Sequence, residues 1–155
     1  MENVFKCPTC DAPMIRDVRP DVVTYKGEAA PMMQPGWYCT ACDEIVLVGK
    51  DSAITEQTFI ELKAKVDDIL TPEEVQRIRK KLRVSQRTAG ALLGGGPRAF
   101  QKYESGADWT SRPMANLLRL LDNDPERVEE LAEHVPRLAA SRRPPGGRKS
   151  GGLSA

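Results

Sequence analysis

Four cysteines, arranged as two C-x-x-C pairs, are the residues of this chain best suited to do chemistry. Cys7 and Cys10 make the first pair, and Cys39 and Cys42 make the second. One C-x-x-C turn can direct two thiolates at an ion, and a second turn on a facing hairpin completes a tetrahedron. Because four thiolates leave no open position for water, the pattern predicts one structural Zn²⁺ per chain.

Two other interpretations of the cysteines, a redox dithiol and unrelated free thiols, stay open at this point. A redox protein normally has a single C-x-x-C where a strand meets a helix, and matched pairs rarely arise by accident. The sequence shows no basic-then-apolar leader and no apolar run near the ~18 residues of a membrane span. We therefore expect a cytoplasmic protein with no membrane partner, in which the cysteines bind metal rather than form disulfides.

The charge of the chain is divided unequally along its length. Residues 1–70 contain seven Lys or Arg and twelve Asp or Glu, whereas residues 71–155 contain sixteen and ten, for a whole-chain charge of +1. The segment 75–103 contains cations and no acid. Such a one-sign stretch within a helical domain indicates a polyanionic partner. Its cations are Arg77, Arg79, Lys80, Lys81, Arg83, Arg87, Arg98 and Lys102.

A β-rich first domain is expected to position the cysteine pairs. The β-branched and aromatic run Val22–Tyr25, followed by the turn Lys26-Gly27, predicts a strand, as does the run Glu44–Val48. The apolar residues then recur at helical spacing, and Ser52 can cap that helix. We predict an α+β fold of two domains, of which the first, residues 1–68, is a four-cysteine zinc ribbon with short β-strands and a helix.

The cationic stretch falls in a second, all-helical domain of five helices, predicted over residues 71–135. Each helix opens with a capping side chain or with a proline that suits the first turn. The predicted starts are Thr71-Pro72, Ser85, Pro97, Ser111 and Asp124. Residues 136–155 are mostly Arg, Pro, Gly and Ser, which predicts a disordered basic tail because few apolar residues are available to bury.

The second and third of these helices, separated by Gly94-Gly95-Gly96, have the layout of a helix-turn-helix. In this motif the second helix places its N-terminal part in the major groove of DNA. Arg98 and Lys102 are four residues apart and share a helix face, with Gln101 beside them. A guanidinium can fork onto guanine and a Gln amide suits adenine, so these three side chains are the candidate base readers.

Two further residues of this motif are candidate DNA contacts, and two belong to its core. Gln86, at the start of the second helix, is placed to hold a phosphate together with backbone N–H groups, and Arg87 follows it. Phe100 and Tyr103 fall on the face opposite the base readers and are predicted to be buried. The alternative is an ordinary helical bundle whose basic face is only solvated.

Taken together, these residues resemble the MqsA-type antitoxins of bacterial type II toxin–antitoxin pairs, which join a YgiT-type zinc finger to a helix-turn-helix of the Xre, lambda-repressor-like class. The resemblance runs from Cys7 to about Leu131. Its most specific parts are the two C-x-x-C pairs, Ile78-Arg79-Lys80-Lys81-Leu82, Gly94-Gly95-Gly96 with Ala99-Phe100, and Tyr103-Glu104-x-Gly106.

The resemblance implies a homodimer, formed through the C-terminal domain, that binds a palindromic operator in double-stranded DNA and represses its own operon. It also implies that the zinc domain binds and neutralises a cognate toxin, an mRNA-cleaving ribonuclease of the MqsR type. Two base-reading positions of the family fall on Arg98 and Lys102. Basic residues near the interdomain helix touch phosphate in the family, and Lys63 and Lys65 are the corresponding candidates.

Two other classes of function are weighed against this one. A stand-alone zinc-ribbon and helix-turn-helix regulator, without a toxin partner, is the alternative that the sequence leaves open. An enzyme is not expected, because the sequence offers no Ser-His-Asp set or carboxylate pair, and the triple glycine lacks the lysine of a phosphate-binding loop. No small-molecule substrate is expected either.

Overall fold

The computed structural model describes residues 5–141, with side chains as far as His134. The chain divides into two compact units. Within the described residues, the hairpin unit comprises 5–71 together with 110–115, and the helical unit comprises 72–109 and 116–141. Within the described residues, no helix is both long and apolar enough to cross a bilayer.

Three antiparallel strands form the sheet of the hairpin unit, in the order β1–β2–β3. β1 (Met14–Tyr25) and β2 (Glu28–Cys39) are 12 residues long each and pair along their whole length. Lys26 and Gly27 form the turn between them, with φ values of 49° and 86°. Positive φ at both residues matches the right-handed twist of a two-residue hairpin, so the predicted strand and turn at this end are confirmed.

The third strand is shorter than the predicted run Glu44–Val48. β3 contains only Ile45–Val46, which pairs with the end of β2. The strand stops because the Val48 N–H donates to the carboxylate of Asp51 at 2.8 Å and does not enter the ladder. The Asp51 side chain, three residues further along the chain, therefore ends the strand earlier than the sequence pattern predicts.

One helix covers one face of the hairpin. α1 (Ser52–Asp67) packs on the sheet, where the Phe59 ring lies edge-on to that of Tyr25 at 5.5 Å. The Thr55 hydroxyl donates to the Gln34 amide oxygen at 2.5 Å, and Gln34 is buried. Alternate side chains along a strand point to the same face of a sheet, so Tyr25 of β1 and Gln34 of β2 both face α1.

The start of α1 differs in detail from the prediction, since Ser52 is the first helical residue and does not cap the helix. Asp51 precedes it, yet its carboxylate forms no cap bond. That carboxylate accepts two hydrogen bonds from the Arg16 guanidinium, at 2.7 and 2.5 Å. A tertiary ion pair between the sheet and the helix start thus replaces the local capping interaction.

Five α-helices and a short 3₁₀ turn follow. Ser85 caps the second of them as predicted, because its hydroxyl oxygen accepts from the Thr88 N–H at 3.0 Å. The last helix passes the predicted end at Val135 and reaches Ser141, and the remainder of the predicted tail lies outside the described residues. The elements are α2 (Pro72–Lys81), α3 (Gln86–Leu93), α4 (Ala99–Ser105), α5 (Arg112–Asn123), the 3₁₀ turn (Pro125–Arg127) and α6 (Val128–Ser141).

The helical unit has a continuous apolar core. Val75 and Ile78 of α2 are each 1% exposed, and Ala89, Phe100 and Leu118 are fully buried. These side chains come from four different helices, so α2, α3, α4 and α5 share one interior. The predicted α+β fold, a four-cysteine sheet with a helix followed by about five helices, is confirmed.

Candidate metal centre and nucleic-acid interface

The four cysteine sulfurs lie together at one end of the sheet. All four Sγ atoms are within 4.8 Å of one another. The Cys10–Cys39 and Cys10–Cys42 distances are 3.5 Å, and the Cys7–Cys42 distance is 3.7 Å. Four thiolates at about 2.3 Å from one tetrahedral ion are roughly 3.8 Å apart, so the donor set fits a four-coordinate metal.

Local hydrogen bonds position each C-x-x-C turn. In the first turn the Cys7 N–H donates to the Ala12 carbonyl at 2.9 Å, and Asp11 takes a positive φ of 60°. In the second, the backbone N–H groups of Ala41 and Cys42 donate to Cys39 Sγ at 3.3 and 3.4 Å. These donors lower the pKa of Cys39 and favour its thiolate. At Cys42 a backbone hydrogen bond from Glu44 lowers the pKa, but hydrogen bonds with Cys39 and Cys10 outweigh it and raise the pKa.

A side-chain bond and a small core hold the two turns against each other. The Thr9 hydroxyl donates to the Glu44 carboxylate at 2.9 Å, across the two C-x-x-C turns. Cys7 and Cys39 are buried with Met14, and Trp37 packs on this cluster. So small a cluster is weak as a hydrophobic core, and a metal in the four-thiolate site is the usual means of stabilising such a module.

In the helical unit, a tight glycine turn brings α4 close to α3. A Cβ on Gly90 would lie 2.0 Å from the Gly96 carbonyl oxygen, so no larger residue fits there. Gly95 has a φ of 89°, and a Cβ on it would lie 2.9 Å from Cβ of Ala99. The triple glycine thus serves the close approach of two backbones, as a helix-turn-helix requires.

The predicted base readers lie on the outer side of α4. Arg98, Gln101 and Lys102 are exposed. Phe100 is fully buried, as predicted, whereas Tyr103, whose ring packs against that of Phe100 at 5.7 Å, is only partly buried. The structure therefore brings the three polar side chains to one exposed helix surface above a packed core.

A buried ion pair holds α4 against α2. The Arg79 guanidinium donates through two nitrogens to both carboxylate oxygens of Glu104, and their side chains are 13% and 3% exposed. Arg79 also donates to the Val84 carbonyl, at 2.9 Å. Burial opposes the ionisation of Glu104, but the hydrogen bonds from Arg79 and Gln86 outweigh it and keep the pKa below its ordinary value.

Sequence analysis missed the role of Arg79 and Glu104, although both lie in motifs that it singled out. The sequence pattern places Arg79 in the cationic surface. The signal available was the position of Glu104 four residues after the buried Phe100, which puts both on the inward side of α4. An acid on an apolar helix face requires a buried cation as partner.

The segment 75–103 contains no acid, but acids from elsewhere in the fold pair with some of its cations. Arg77 and Lys81 both bind the Asp122 carboxylate of α5, at 2.8 and 3.0 Å. Together with Arg79, three of the eight cations are therefore paired. The other five, Lys80, Arg83, Arg87, Arg98 and Lys102, are exposed and have no ion pair within the described residues.

The remaining predicted DNA contacts, Gln86, Lys63 and Lys65, differ in how far their side chains are engaged within the protein. The Gln86 amide nitrogen donates to Glu104 at 2.9 Å, so this side chain is engaged within the unit. Lys63 donates to Asp67 at 2.6 Å and to the Tyr25 hydroxyl at 2.9 Å, and is half-buried. Lys65 is exposed. The structure thus leaves Lys65 more available to a phosphate than Lys63.

Comparison with known proteins places the chain in a family. Residues 5–132 match the family described as the antitoxin component of the bacterial toxin–antitoxin system, MqsA. The chain is 30% identical over 130 residues to "Antitoxin MqsA" of Escherichia coli (strain K12), an alignment that covers 82% of this chain and 99% of that relative. This family consists of antitoxins, which are not enzymes, and an antitoxin implies a cognate toxin. The chain therefore belongs to the MqsA antitoxin family of type II toxin–antitoxin systems.

Proposed function

We propose that this chain is an antitoxin that also represses its own operon, binding a palindromic operator as a homodimer. The observation that carries the proposal is the exposed row Arg98, Gln101 and Lys102 on a short helix whose opposite side buries Phe100 completely. A helix held this way can enter the major groove as a rigid body. Residues 71–135 would form the DNA-binding and dimerisation domain.

The exposed polar side chains that support DNA binding fall into two groups, one suited to bases and the other to phosphates. Arg98 can take guanine O6 and N7 in a fork, and Gln101 can take adenine. Arg87 at the first turn of α3, and Lys65, would hold phosphates, which fix register without reading sequence. Because the Gln86 side chain is bonded to Glu104, its contribution to phosphate binding would come from its backbone N–H.

The first domain, residues 1–68, would bind one structural Zn²⁺ and the cognate toxin. Zinc is the ion that suits four thiolates in a closed tetrahedral site. The toxin would be an mRNA-cleaving ribonuclease of the MqsR type, neutralised by complex formation in the cytoplasm.

The direct test replaces the base readers one at a time. Arg98→Ala and Lys102→Ala are each expected to weaken binding to the promoter fragment of the operon by about 1–3 kcal/mol, and Arg98→Ala should also relax base preference. Fluorescence anisotropy with the promoter fragment and with a scrambled duplex measures both effects. The matched control is Arg127→Ala, which removes an exposed guanidinium paired with Glu130 and outside α4.

Unchanged affinity and an unchanged footprint for both α4 variants would exclude α4 as the reading helix. Loss of toxin binding with intact promoter binding would leave a stand-alone regulator. Zinc is tested separately, since one equivalent per chain by mass spectrometry of the native protein is expected and a different ion would overturn the assignment.

A further inference from the structure

The hairpin has a second face that α1 does not cover. From Val18 to the turn, the β1 and β2 residues on this side carry no charge, and Arg16, two residues before Val18, is paired with Asp51. We call this surface the apolar hairpin face. It consists of Val18, Pro20, Val22 and Thr24 of β1 with Ala29, Pro31, Met33 and Pro35 of β2, which are paired in register.

Its large side chains are exposed to solvent. Val18 and Met33 are each 52% exposed, and Val22 is 54% exposed. The opposite face buries Val23, at 9%, beneath α1. Contiguous exposed apolar surface is uncommon on a stable monomer and usually marks an interaction site.

The long edges of the hairpin are closed to an added strand. The N–H groups of Val18 and Val22 point away from β2, and each donates to the carboxylate of the preceding residue, Asp17 or Asp21, at 2.8 Å. Pro20, between them, has no N–H. On β2, Pro31 and Pro35 stand opposite these valines and likewise have no donor. Few free donors remain along these edges for strand addition, which favours a partner that contacts side chains on the face.

The size of the face favours a heterologous partner over a second copy of the chain. The face spans seven residues along each of two adjacent strands, which is roughly 23 Å by 10 Å, or a few hundred Å². An obligate homodimer buries more than about 1,000 Å² per subunit, largely apolar. A few hundred Å² suits the apolar centre of a standard interface, which is completed by a polar rim.

The rim of the face is acidic once its internal ion pairs are considered. The three cations of the hairpin are each paired within the unit: Arg16 with Asp51, Arg19 with Asp17, and Lys26 with Asp67. Asp21 binds a backbone N–H, and Glu28 has no ion pair within the described residues. Residues 1–70 as a whole carry twelve acids and seven bases.

We propose that the apolar hairpin face is the docking surface for the cognate toxin, with Val18, Val22 and Met33 at the centre of the contact and carboxylates at its rim. This inference rests on the proposed toxin-neutralising function. A ribonuclease must attract a polyanionic substrate and so carries basic groups, which complement an acidic rim. Docking through the face leaves the metal site as a support for the hairpin rather than a contact.

The test places a charge in the centre of the face in the full-length chain. Val22→Glu and Met33→Glu are each expected to weaken binding of the protein encoded in the adjacent reading frame by about 30-fold or more, as central contacts do. Met33→Leu should restore near-normal affinity. The matched control is Ile54→Glu on α1, where the native side chain is apolar and 42% exposed.

Metal content and promoter affinity should be unchanged in these variants, which shows that the chain is folded. Normal toxin binding by both Glu variants overturns the docking surface while leaving the proposed function intact. Failure of the native chain to bind the toxin overturns the proposed function itself. A change of oligomeric state with normal toxin binding assigns the face to a second copy and also overturns the proposal.

A second measurement does not depend on the folding of any variant. Hydroxyl-radical labelling of the native chain oxidises exposed methionine readily, and Met33 should be labelled when free and protected severalfold in the toxin complex. Equal labelling in both states contradicts the proposal. Phe59 on the α1 side of the hairpin unit, 37% exposed, is the internal control, and its labelling should not change.

Discussion

The two units of this chain are stabilised in different ways. In the helical unit, apolar side chains of four helices share one interior, and Phe100, Ala89 and Leu118 are fully buried. In the hairpin unit, the cluster beside the cysteines contains only Cys7, Met14 and Cys39 as buried residues. If a metal binds the cysteine cluster, this end of the hairpin unit depends on a ligand, whereas the helical unit depends on its apolar core. Each should therefore respond to a different perturbation.

Removing one metal ligand should have the largest effect and should separate the two units. Cys39→Ser is expected to unfold the hairpin unit, because a structural zinc site contributes about 10–16 kcal/mol in small peptides, as much as a whole domain's stability. Promoter affinity should survive. Tryptophan fluorescence reports the units separately, since Trp37 stacks on Phe5 in the hairpin unit and Trp109 lies in the helical unit.

The control for this experiment is Ala41→Ser, which places a hydroxyl beside the same turn and keeps all four thiolates. It should behave as the native chain does. A hairpin unit that keeps its fold after chelation would show that its stability does not depend on a bound metal.

Cavity formation should affect the helical unit alone. Phe100→Ala is expected to cost about 3–5 kcal/mol, because the ring is fully buried and its removal leaves a cavity. Thermal unfolding followed at Trp109 measures the loss, and metal content should be unchanged. Phe59→Ala in the hairpin unit is the comparison, and its cost should be much smaller because that ring is 37% exposed. Equal costs would remove the distinction between the two interiors.

The buried ion pair should have an intermediate effect that depends on pH. Glu104→Gln is expected to destabilise the helical unit by about 2 kcal/mol at pH 7, because Arg79 loses its buried counter-charge. The folded pKa of Glu104 is lowered. Its contribution is therefore fully present above the ordinary carboxyl value of about 4.3 and is lost as the pH falls through the lower folded value.

The native chain and Glu104→Gln should accordingly converge in stability on acidification, as measured by thermal unfolding at Trp109 from pH 7 to pH 3. Glu133→Gln, an exposed substitution of the same kind on α6, should leave the native profile unchanged. A constant difference between native and Glu104→Gln across this range would contradict the role of the charge.

The smallest effect is expected at the phosphate contacts. Arg87→Ala should leave the stability of the helical unit unchanged and weaken binding to promoter and scrambled DNA equally, with the salt slope reduced by about 1. Arg77→Ala is the matched comparison, because its guanidinium is already bound to Asp122. Salt titrations of both variants measure the slopes, and equal losses would show that pairing within the unit does not decide which cations meet DNA.

Features that depend on short separations along the chain could be predicted from the amino-acid sequence. The cysteine spacing, the Lys26-Gly27 turn and the capping residue Ser85 each follow from a few neighbouring residues, and all are found in the structure. The inward position of Phe100 follows in the same way, because helical spacing fixes which residues share a face.

Which charges and which apolar residues stay exposed depends on tertiary packing and could not be predicted from the sequence. Arg79 and Arg77 meet their acids 25 and 45 residues along the chain, and no local pattern predicts such partners. Alternation along β1 likewise predicts two faces of the hairpin but not which of them α1 covers. The physical reason is the same for both, since pairing and burial depend on residues that are distant in sequence and become neighbours only when the elements pack.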